Sequence, residues 1–317
     1  MKHIFLYFLI FVTICVTGCN SSSSHKKTPV KTENKSKNKT FSLPEIPMIL
    51  SSEKDRAEYM ALHYWEKYDF TDTLSLSDSQ KIENIYGNFL QILPHIPEQK
   101  AEEALTYLMD ASSVNNKVFL FFINLTQKYL YDPNSPFRNE ELYIPVLRYL
   151  IASPKLQDIY KTRYQFQLDN ALKNRPGSIA ADFSYTLKTG GKHKMHDIRS
   201  SYTLLYFNNP GCHECKVVKD YMSKSMIITK LAGEKLNGMA KLTILSVYID
   251  KDLKVWRESV YPDFITNCYD TFHVIQKDNI YDLKAIPTMY LLDKNKKVIL
   301  KDATITEIED YLTRTTK

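Results

Sequence analysis

Two cysteines three residues apart stand where a predicted buried strand passes into a predicted helix. The apolar run at residues 201–207 is typical of a buried strand, and the Asn-Asn-Pro-Gly turn at 208–211 leads into Cys212, a histidine, a glutamate and Cys215. A helix-compatible stretch at residues 216–236 follows, so both sulfurs are expected at a helix N-terminus. There the unpaired N–H groups and the helix dipole stabilise a thiolate, which is the form of cysteine that attacks a disulfide. Half of a zinc site has the same spacing, so the pattern needs a second signal.

That second signal is Ile286-Pro287, which directly precedes a predicted strand at residues 289–292. A proline is tolerated at the first residue of a strand. The chain then turns into another predicted strand at residues 297–301 and ends in a predicted helix at residues 305–313.

In this order the motifs resemble the thioredoxin superfamily, in which a cis-proline loop faces the CxxC pair and pairs with the substrate backbone. The stretch between Cys215 and Pro287 is longer than in a minimal thioredoxin. It leaves room for the inserted segment of the TlpA/ResA-like branch, which this chain resembles. The resemblance covers residues 177–317, and residues 181–198 look like the opening hairpin of that branch. It implies an α/β thioredoxin-like C-terminal domain at residues 176–317, with a central mixed sheet flanked by helices and an insertion at about 250–280.

An all-α domain is expected before it, at residues 44–175, because apolar residues recur there at helical spacing. Six helices are predicted, at residues 53–68, 77–93, 98–111, 115–131, 139–151 and 155–174. This region resembles the uncharacterised helical domain that often precedes thioredoxin-like domains in Gram-negative lipoproteins. We expect it to bind a client or to shield the redox site.

The two cysteines are expected to have different roles. Cys212 is nearer the helix start and is predicted to be the exposed nucleophile, whereas Cys215 lies one turn further in and is predicted to be the resolving thiol. The resemblance assigns binding of the client backbone to Ile286 and Pro287. No cofactor is expected beyond the redox-active disulfide between the two cysteines, and no metal.

Four further residues bear on the redox chemistry. His213 is expected to stabilise the attacking thiolate and Glu214 to oppose it, unless both side chains point to solvent. Thioredoxins carry a buried acid where this chain has Tyr206, and ResA-like proteins carry a glutamate where it has Val218. Deprotonation of Cys215 is therefore left to water, Glu214, His213 or Tyr206.

The N-terminus is typical of an exported chain. Residues 1–18 read as a signal peptide, because the apolar run at 4–16 is too short for a comfortable membrane span. The Val-Thr-Gly-Cys sequence ending at Cys19 resembles a bacterial lipobox, which implies lipidation of Cys19 and anchoring in a lipid bilayer. An ordinary signal peptide with an incidental cysteine is the alternative. Residues 19–43 form a serine- and lysine-rich tether that cannot build a core.

The basic charge belongs to this leader. Residues 1–40 hold seven lysines and one glutamate, so their net charge equals the +6 of the whole chain and residues 41–317 are neutral in sum. A nucleic-acid partner therefore loses its electrostatic argument. The lysines are interpreted as a solvated spacer, with attraction to an anionic lipid surface as the alternative.

The remaining cysteines suggest little further chemistry. Cys15 is removed with the signal peptide, and Cys268 is either a buried small residue or a second resolving thiol. A copper chaperone of the Sco type would need cysteines one residue further apart, and His273 is only a nominal distal ligand for one. A structural zinc site would need two more ligands near Cys212, which Cys268 and His273 could supply, but the cis-proline signature argues against it.

The sequence thus predicts a lipid-anchored, periplasm-facing thiol-disulfide oxidoreductase. Its expected partners are client proteins with disulfides or thiols and a membrane or periplasmic electron donor. Asn20 follows the predicted lipidation site instead of the aspartate that retains many lipoproteins in the inner membrane, so the outer membrane is favoured. The alternative is a non-enzymatic binding or adaptor lipoprotein that uses the helical domain and carries a redox-weak thioredoxin fold.

Overall fold

A computed structural model describes residues 41–316 of the chain. The signal peptide, Cys19 and the tether up to residue 40 lie outside the described residues, so these predictions remain expectations. Within residues 41–316, no helix is both long and apolar enough to cross a membrane.

The first half of the described chain is helical, as predicted. Its helices are α1 (Glu53–His63), α2 (Ser79–Ile92), α3 (Glu98–Ser112), α4 (Asn116–Leu130), α5 (Glu140–Ala152) and α6 (Asp158–Ala171). Several begin at a side-chain cap: Asp78, Asn115 and Asn139 each accept a hydrogen bond from a free N–H group of the first turn.

Two helices are shorter than the periodicity predicts. α1 was expected to reach residue 68, but the chain turns after His63, which places Tyr64 and Trp65 in the core. α6 was expected to start at residue 155, but Leu156 occupies a buried turn before it. In both places tertiary burial of a large apolar side chain overrides the helical pattern.

An aromatic cluster fills the helical core. Phe122 of α4 is fully buried and packs edge-to-face on Trp65, with ring centroids 5.3 Å apart. Trp65 also contacts Tyr64 of the same turn and Phe89 of α2. These rings bury large apolar areas, and they join the first two helices to α4.

The second half is built on one sheet. Its strands are β1 (Ser184–Leu187), β2 (Lys192–Lys194), β3 (Ser200–Asn208), β4 (Lys235–Leu236), β5 (Met239–Tyr248), β6 (Ile265–Asp270), β7 (Thr288–Asp293) and β8 (Val298–Lys301). The strand order is β2-β1-β6-β5-β3-β7-β8, and β4 pairs with β5. β3, β5 and β6 are parallel, while the other pairs are antiparallel. The sheet is therefore mixed, as the fold prediction requires.

Five helices flank the sheet: α7 (His213–Lys224), α8 (Met226–Gly233), α9 (Leu253–Glu258), α10 (Val274–Lys277) and α11 (Ile305–Thr315). The single helix predicted over residues 216–236 is wrong, because Ser225 adopts an extended conformation that ends α7, and its hydroxyl caps α8. Residues 235–236 belong to β4. The segment predicted as an insertion holds α9, β6 and α10, and β6 lies inside the sheet between β1 and β5.

The two faces of the sheet carry separate cores. Alternate residues of β3 point to opposite sides, so Leu204 and Tyr206 face one core while Leu205 and Phe207 face the other. The first core includes Cys215 and the inner faces of α7, α8 and α11. The second core is covered by the opening hairpin and the segment before Pro287.

We expect the Phe122→Ala variant to lower the free energy of unfolding by about 3–5 kcal/mol, because it opens a cavity among packed rings. The matched control is Leu120→Ala on the same helix, where the side chain is 40% exposed. That change should cost less than about 1 kcal/mol. Urea unfolding monitored by circular dichroism measures both. Equal losses in the two variants would contradict the assigned core.

Candidate active site

The turn between β3 and α7 positions the two cysteines. Asn209 accepts a hydrogen bond from the Gly211 N–H through its side chain, at 2.8 Å, and one from the Cys212 N–H through its carbonyl, at 3.0 Å. Cys212 is the N-cap of α7, and its Sγ accepts a hydrogen bond from the Cys215 N–H at 3.2 Å. The sulfur of Cys212 thus lies at the positive end of the helix, where the dipole favours a thiolate.

Sheet pairing brings the proline loop to the same place. β3 runs antiparallel to β7 with Phe207 opposite Thr288, so the end of β3 and the start of β7 share one edge of the sheet. The Ile286–Pro287 peptide bond is cis. The Ile286 carbonyl faces the Cys212 Sγ at 3.7 Å, within reach of a weak S–H hydrogen bond. The two motifs that are far apart in the sequence therefore form one site.

The two thiols are distinguished by burial. Cys212 is partly exposed, whereas Cys215 is only 2% exposed and packs in the core beneath it. Burial, with a smaller contribution from the hydrogen bond to Cys212, raises the pKa of Cys215 to about 12. This asymmetry suits an attacking thiol at the surface and a resolving thiol inside.

Tyr206 lies directly behind the buried thiol. Its hydroxyl donates a hydrogen bond to the Cys215 carbonyl at 2.5 Å, and the residue is buried. Burial raises the pKa of Tyr206 far above its usual value. The phenol therefore stays neutral and acts as a donor, not as an acceptor for the Cys215 proton. Val218 packs as an apolar residue against the same core.

The pair between the cysteines points to solvent. The His213 and Glu214 side chains are 84% and 71% exposed, and the His213 Nε2 lies 3.9 Å from a Glu214 carboxylate oxygen. Because both side chains are exposed, solvent screens their charges, and a surface pair of this kind contributes little.

Sequence reasoning missed a polar group beneath the site. The sequence marks Asn208 only as part of a turn, but its side chain is buried and donates to the Ser246 hydroxyl at 2.8 Å. The Tyr261 hydroxyl donates to Asn208 Oδ1 at 2.6 Å. Burial raises the pKa of Tyr261, and the nearby Cys215 contributes to that rise. The one signal available was an amide at the end of an apolar strand; nothing in the sequence marked Tyr261.

Cys268 is separated from the redox pair by the sheet. It lies on β6 opposite Val247 and belongs to the second core, whereas Cys215 belongs to the first. It is fully buried, and burial raises the pKa of its thiol well above the ordinary value. This position is that of a small core residue. Among the described residues, no group of three or more His, Cys, Asp or Glu side chains is arranged to hold a metal ion.

Alkylation should separate the three thiols. At about pH 8, we expect iodoacetamide to modify Cys212 at least about 100-fold faster than Cys215, because Cys215 is buried and carries little thiolate. Cys268 should react only after unfolding. Peptide mass spectrometry of the reduced protein measures the rates, with Cys212→Ser as the control that removes the fast phase. Comparable labelling of Cys212 and Cys215 would contradict the assigned asymmetry.

Comparison with known proteins finds a domain family and related proteins that are similar to this chain. Residues 18–174 match the model of a domain of unknown function, DUF5106. A thioredoxin-like protein from Bacteroides caccae ATCC 43185, solved by crystallography, is 43% identical; the match covers 87% of this chain and 99% of that one, with a TM-score of 0.83.

A curated relative matches part of the chain. The thiol-disulfide oxidoreductase ResA of Geobacillus kaustophilus (strain HTA426) is 29% identical over 145 residues, which cover 43% of this chain and 75% of that protein. The fold, the juxtaposed CxxC and cis-proline motifs and these relatives agree. The chain belongs to the thioredoxin-like family, and its similarity to a thiol-disulfide oxidoreductase of the ResA type supports a redox role of the thioredoxin type.

Proposed function

We propose that this oxidoreductase is anchored by a lipidated Cys19, faces the periplasm and reduces or exchanges the disulfides of client proteins through Cys212 and Cys215. The observation that carries the proposal is the position of the Cys212 Sγ. It caps α7, is partly exposed, and lies 3.7 Å from the carbonyl that precedes Pro287, with a second thiol buried behind it.

The exchange takes place in two steps. The Cys212 thiolate attacks a client disulfide, so that a bond forms between Cys212 and one client sulfur while the other client sulfur leaves as a thiolate. The Cys215 thiolate then attacks the Cys212 sulfur. The mixed disulfide breaks and the client leaves with both sulfurs reduced. The two electrons come from Cys212 and Cys215, which are oxidised to a disulfide. A dithiol donor in the periplasm or membrane restores the reduced pair, and no other cofactor is needed.

The proline loop supplies the client-binding edge. Pro287 has no N–H group, and the preceding Ile286 is partly buried against both cores, so its side chain shapes the floor beside Cys212. An extended client segment would pair with the backbone on either side of this residue pair. In that pose its disulfide lies over the Cys212 Sγ.

Loss of the proton from Cys215 is the slow part of this cycle. Tyr206 donates its own hydrogen bond and the side chains of His213 and Glu214 are exposed, so water is the acceptor that the arrangement leaves. We therefore assign the protein to exchange with specific clients, where docking compensates for a weakly activated resolving thiol.

The anchoring follows from the leader. A lipidated Cys19 followed by a lysine-rich spacer would hold the redox domain away from the bilayer, and Asn20 favours the outer membrane. The adaptor alternative keeps one specific observation in its favour, which is the presence of Tyr206 and Val218 in place of acids. An adaptor would bind clients without exchanging disulfides.

Trapping tests the proposal and names the client. Cys215→Ser should accumulate mixed disulfides through Cys212, because the resolving thiol is missing, and Cys212→Ser should abolish exchange. Non-reducing gels and mass spectrometry of the captured proteins give the readout. Cys268→Ala is the control and should keep wild-type exchange. A wild-type protein that exchanges with neither glutathione nor a protein disulfide would favour the adaptor.

The resolution step should be strongly pH dependent. Because burial raises the pKa of Cys215 to about 12, its thiolate fraction, and with it the resolution rate, should rise about tenfold per pH unit between about pH 6 and pH 9. Release of thionitrobenzoate from Cys212 measures this step directly. Tyr206→Phe should keep the same slope. A rate that levels off near neutral pH would show that a protein group deprotonates Cys215.

A further inference from the structure

The segment between α10 and Pro287 lies against the helical half of the chain. The Asn174 side chain, just after α6, donates a hydrogen bond to the Ile280 carbonyl at 2.8 Å. The same side chain accepts a hydrogen bond from the Ala181 N–H at 2.8 Å. The polypeptide that leads into the proline loop is therefore attached to the link between the helices and the sheet.

Lys284 makes the central contact of this segment. Its ammonium group forms an ion pair with Glu140 of α5, lies 3.2 Å from an Asp282 carboxylate oxygen and sits 4.4 Å from the centre of the Tyr131 ring. The Lys284 and Glu140 side chains are only 9% and 8% exposed. Burial alone would lower the pKa of Lys284, but the carboxylates more than offset it and the pKa is raised.

Glu140 also holds the opposite side of the junction. Its second carboxylate oxygen lies 2.7 Å from the Lys301 ammonium on β8. That ammonium donates in addition to the Ala171 carbonyl at 2.8 Å and to the Lys173 carbonyl at 2.6 Å. Glu140 is thus fixed between two lysines of the thioredoxin-like half, and it cannot follow Lys284 if the loop moves.

Only Ala285 separates Lys284 from Ile286. The Thr288 hydroxyl donates to the Ala285 carbonyl at 2.5 Å, which folds this short stretch back on the start of β7. The Ile286 carbonyl then faces the Cys212 Sγ at 3.7 Å. Because one residue spans at most about 3.6 Å of chain, a displacement of Lys284 must be passed on to Ile286.

Breaking the ion pair would release this constraint. Without Glu140, the Lys284 ammonium keeps the Asp282 carboxylate, which lies on the same segment and moves with it, but loses its carboxylate partner on the helical half. A buried charge that loses such a partner is costly, so Lys284 would move towards solvent and take the backbone with it. We propose that Glu140 is a positioning residue for disulfide exchange: through Lys284, the helical domain holds the cis-proline loop at the distance from Cys212 that a client disulfide requires. The inference deepens the proposed function and, in its consequence for the client, rests on it.

The first test does not depend on activity. Trypsin cleaves after lysine, and Lys284 is shielded by its ion pair while the following Ala285 is exposed. In the Glu140→Gln variant, cleavage after Lys284 should be at least about tenfold faster than in the wild type, since proteolysis follows the population of the open loop. Time-resolved mass spectrometry of the native protein gives the rate at each lysine.

The matched control is Glu141→Gln, one residue along the same helix. Glu141 pairs with Arg175 of the linker through three hydrogen bonds, and among the described residues no hydrogen bond or ion pair joins it to the loop. Cleavage after Lys284 should stay at the wild-type rate in this variant. Faster cleavage in both variants, an unchanged rate in Glu140→Gln, or a rise of equal size at the exposed Lys216 would overturn the inference.

The second test is kinetic. Glu140→Gln should raise the KM for a protein disulfide by about tenfold and leave kcat within about twofold, because the loop binds the client backbone and does not take part in the chemistry. With oxidised glutathione, which needs no strand pairing, kcat/KM should be unchanged. A loss confined to kcat would overturn the positioning role.

A double variant keeps the kinetic test usable if the single one folds poorly. Glu140→Gln with Lys284→Met removes both charges of this ion pair, so no Lys284 ammonium is left without Glu140, while Lys301 keeps its hydrogen bonds to the Ala171 and Lys173 carbonyls. Its KM should be raised no further than that of Glu140→Gln, as expected for two residues that act as a unit. Additive losses would overturn the inference. A wild-type protein without exchange activity refutes the proposed function, while the proteolysis result still decides whether Glu140 holds the loop.

Discussion

The site depends on β3, which is hydrogen-bonded to β5 on one side and to β7 on the other. Its pairing with β5 is parallel and its pairing with β7 is antiparallel. Consequently the end of β3 meets the start of β7. Cys212 follows β3 in the chain and Pro287 directly precedes β7. These two pairings bring the N-terminus of α7 and the loop before β7 together. The mixed sheet therefore positions the redox site as well as forming the core.

Burial then separates two chemically identical thiols. Cys212 and Cys215 share one helical turn, yet the first caps the helix at the surface and the second enters the core. The surrounding polar groups reinforce the difference, because Tyr206 donates towards the Cys215 backbone and Asn208 is satisfied by Ser246 and Tyr261. Each buried polar atom of this group has a partner, so the floor of the site is rigid and offers no base.

The junction between the two halves is unusual for what it buries. Lys284, Lys301 and Glu140 are nearly inaccessible charges, and Arg138 of the helical half pairs with Asp302 beyond β8 at 3.3 Å. Such pairs are weak evidence for stability, since desolvation offsets much of their attraction. They do fix geometry, because a buried charge has few alternative partners. The helical half is in this way part of the support of the redox site.

Much of this protein could be predicted from its sequence. Local patterns are sufficient for the helices of residues 53–171, for the strand before Cys212 and for the strand after Pro287, because apolar periodicity and capping residues act within a few positions. The resemblance to the thioredoxin superfamily also implied that Cys212 and Ile286 would meet. The apolar periodicity failed at His63 and at Ser225. At both positions the helical pattern continues in the sequence, but a buried aromatic residue or a capping hydroxyl ends the helix.

What remained belongs to the tertiary structure. Three features depend on residues that are far apart in the sequence. They are the position of Cys268 behind the sheet, the contact of Tyr261 with Asn208 and the ion pair of Glu140 with Lys284. No local pattern marks them, because a charge or a hydroxyl is equally compatible with solvent until packing removes the water. The sequence by itself determined the chemistry of the thiols and the order of the elements, and only the folded structure decided which polar groups are buried against each other.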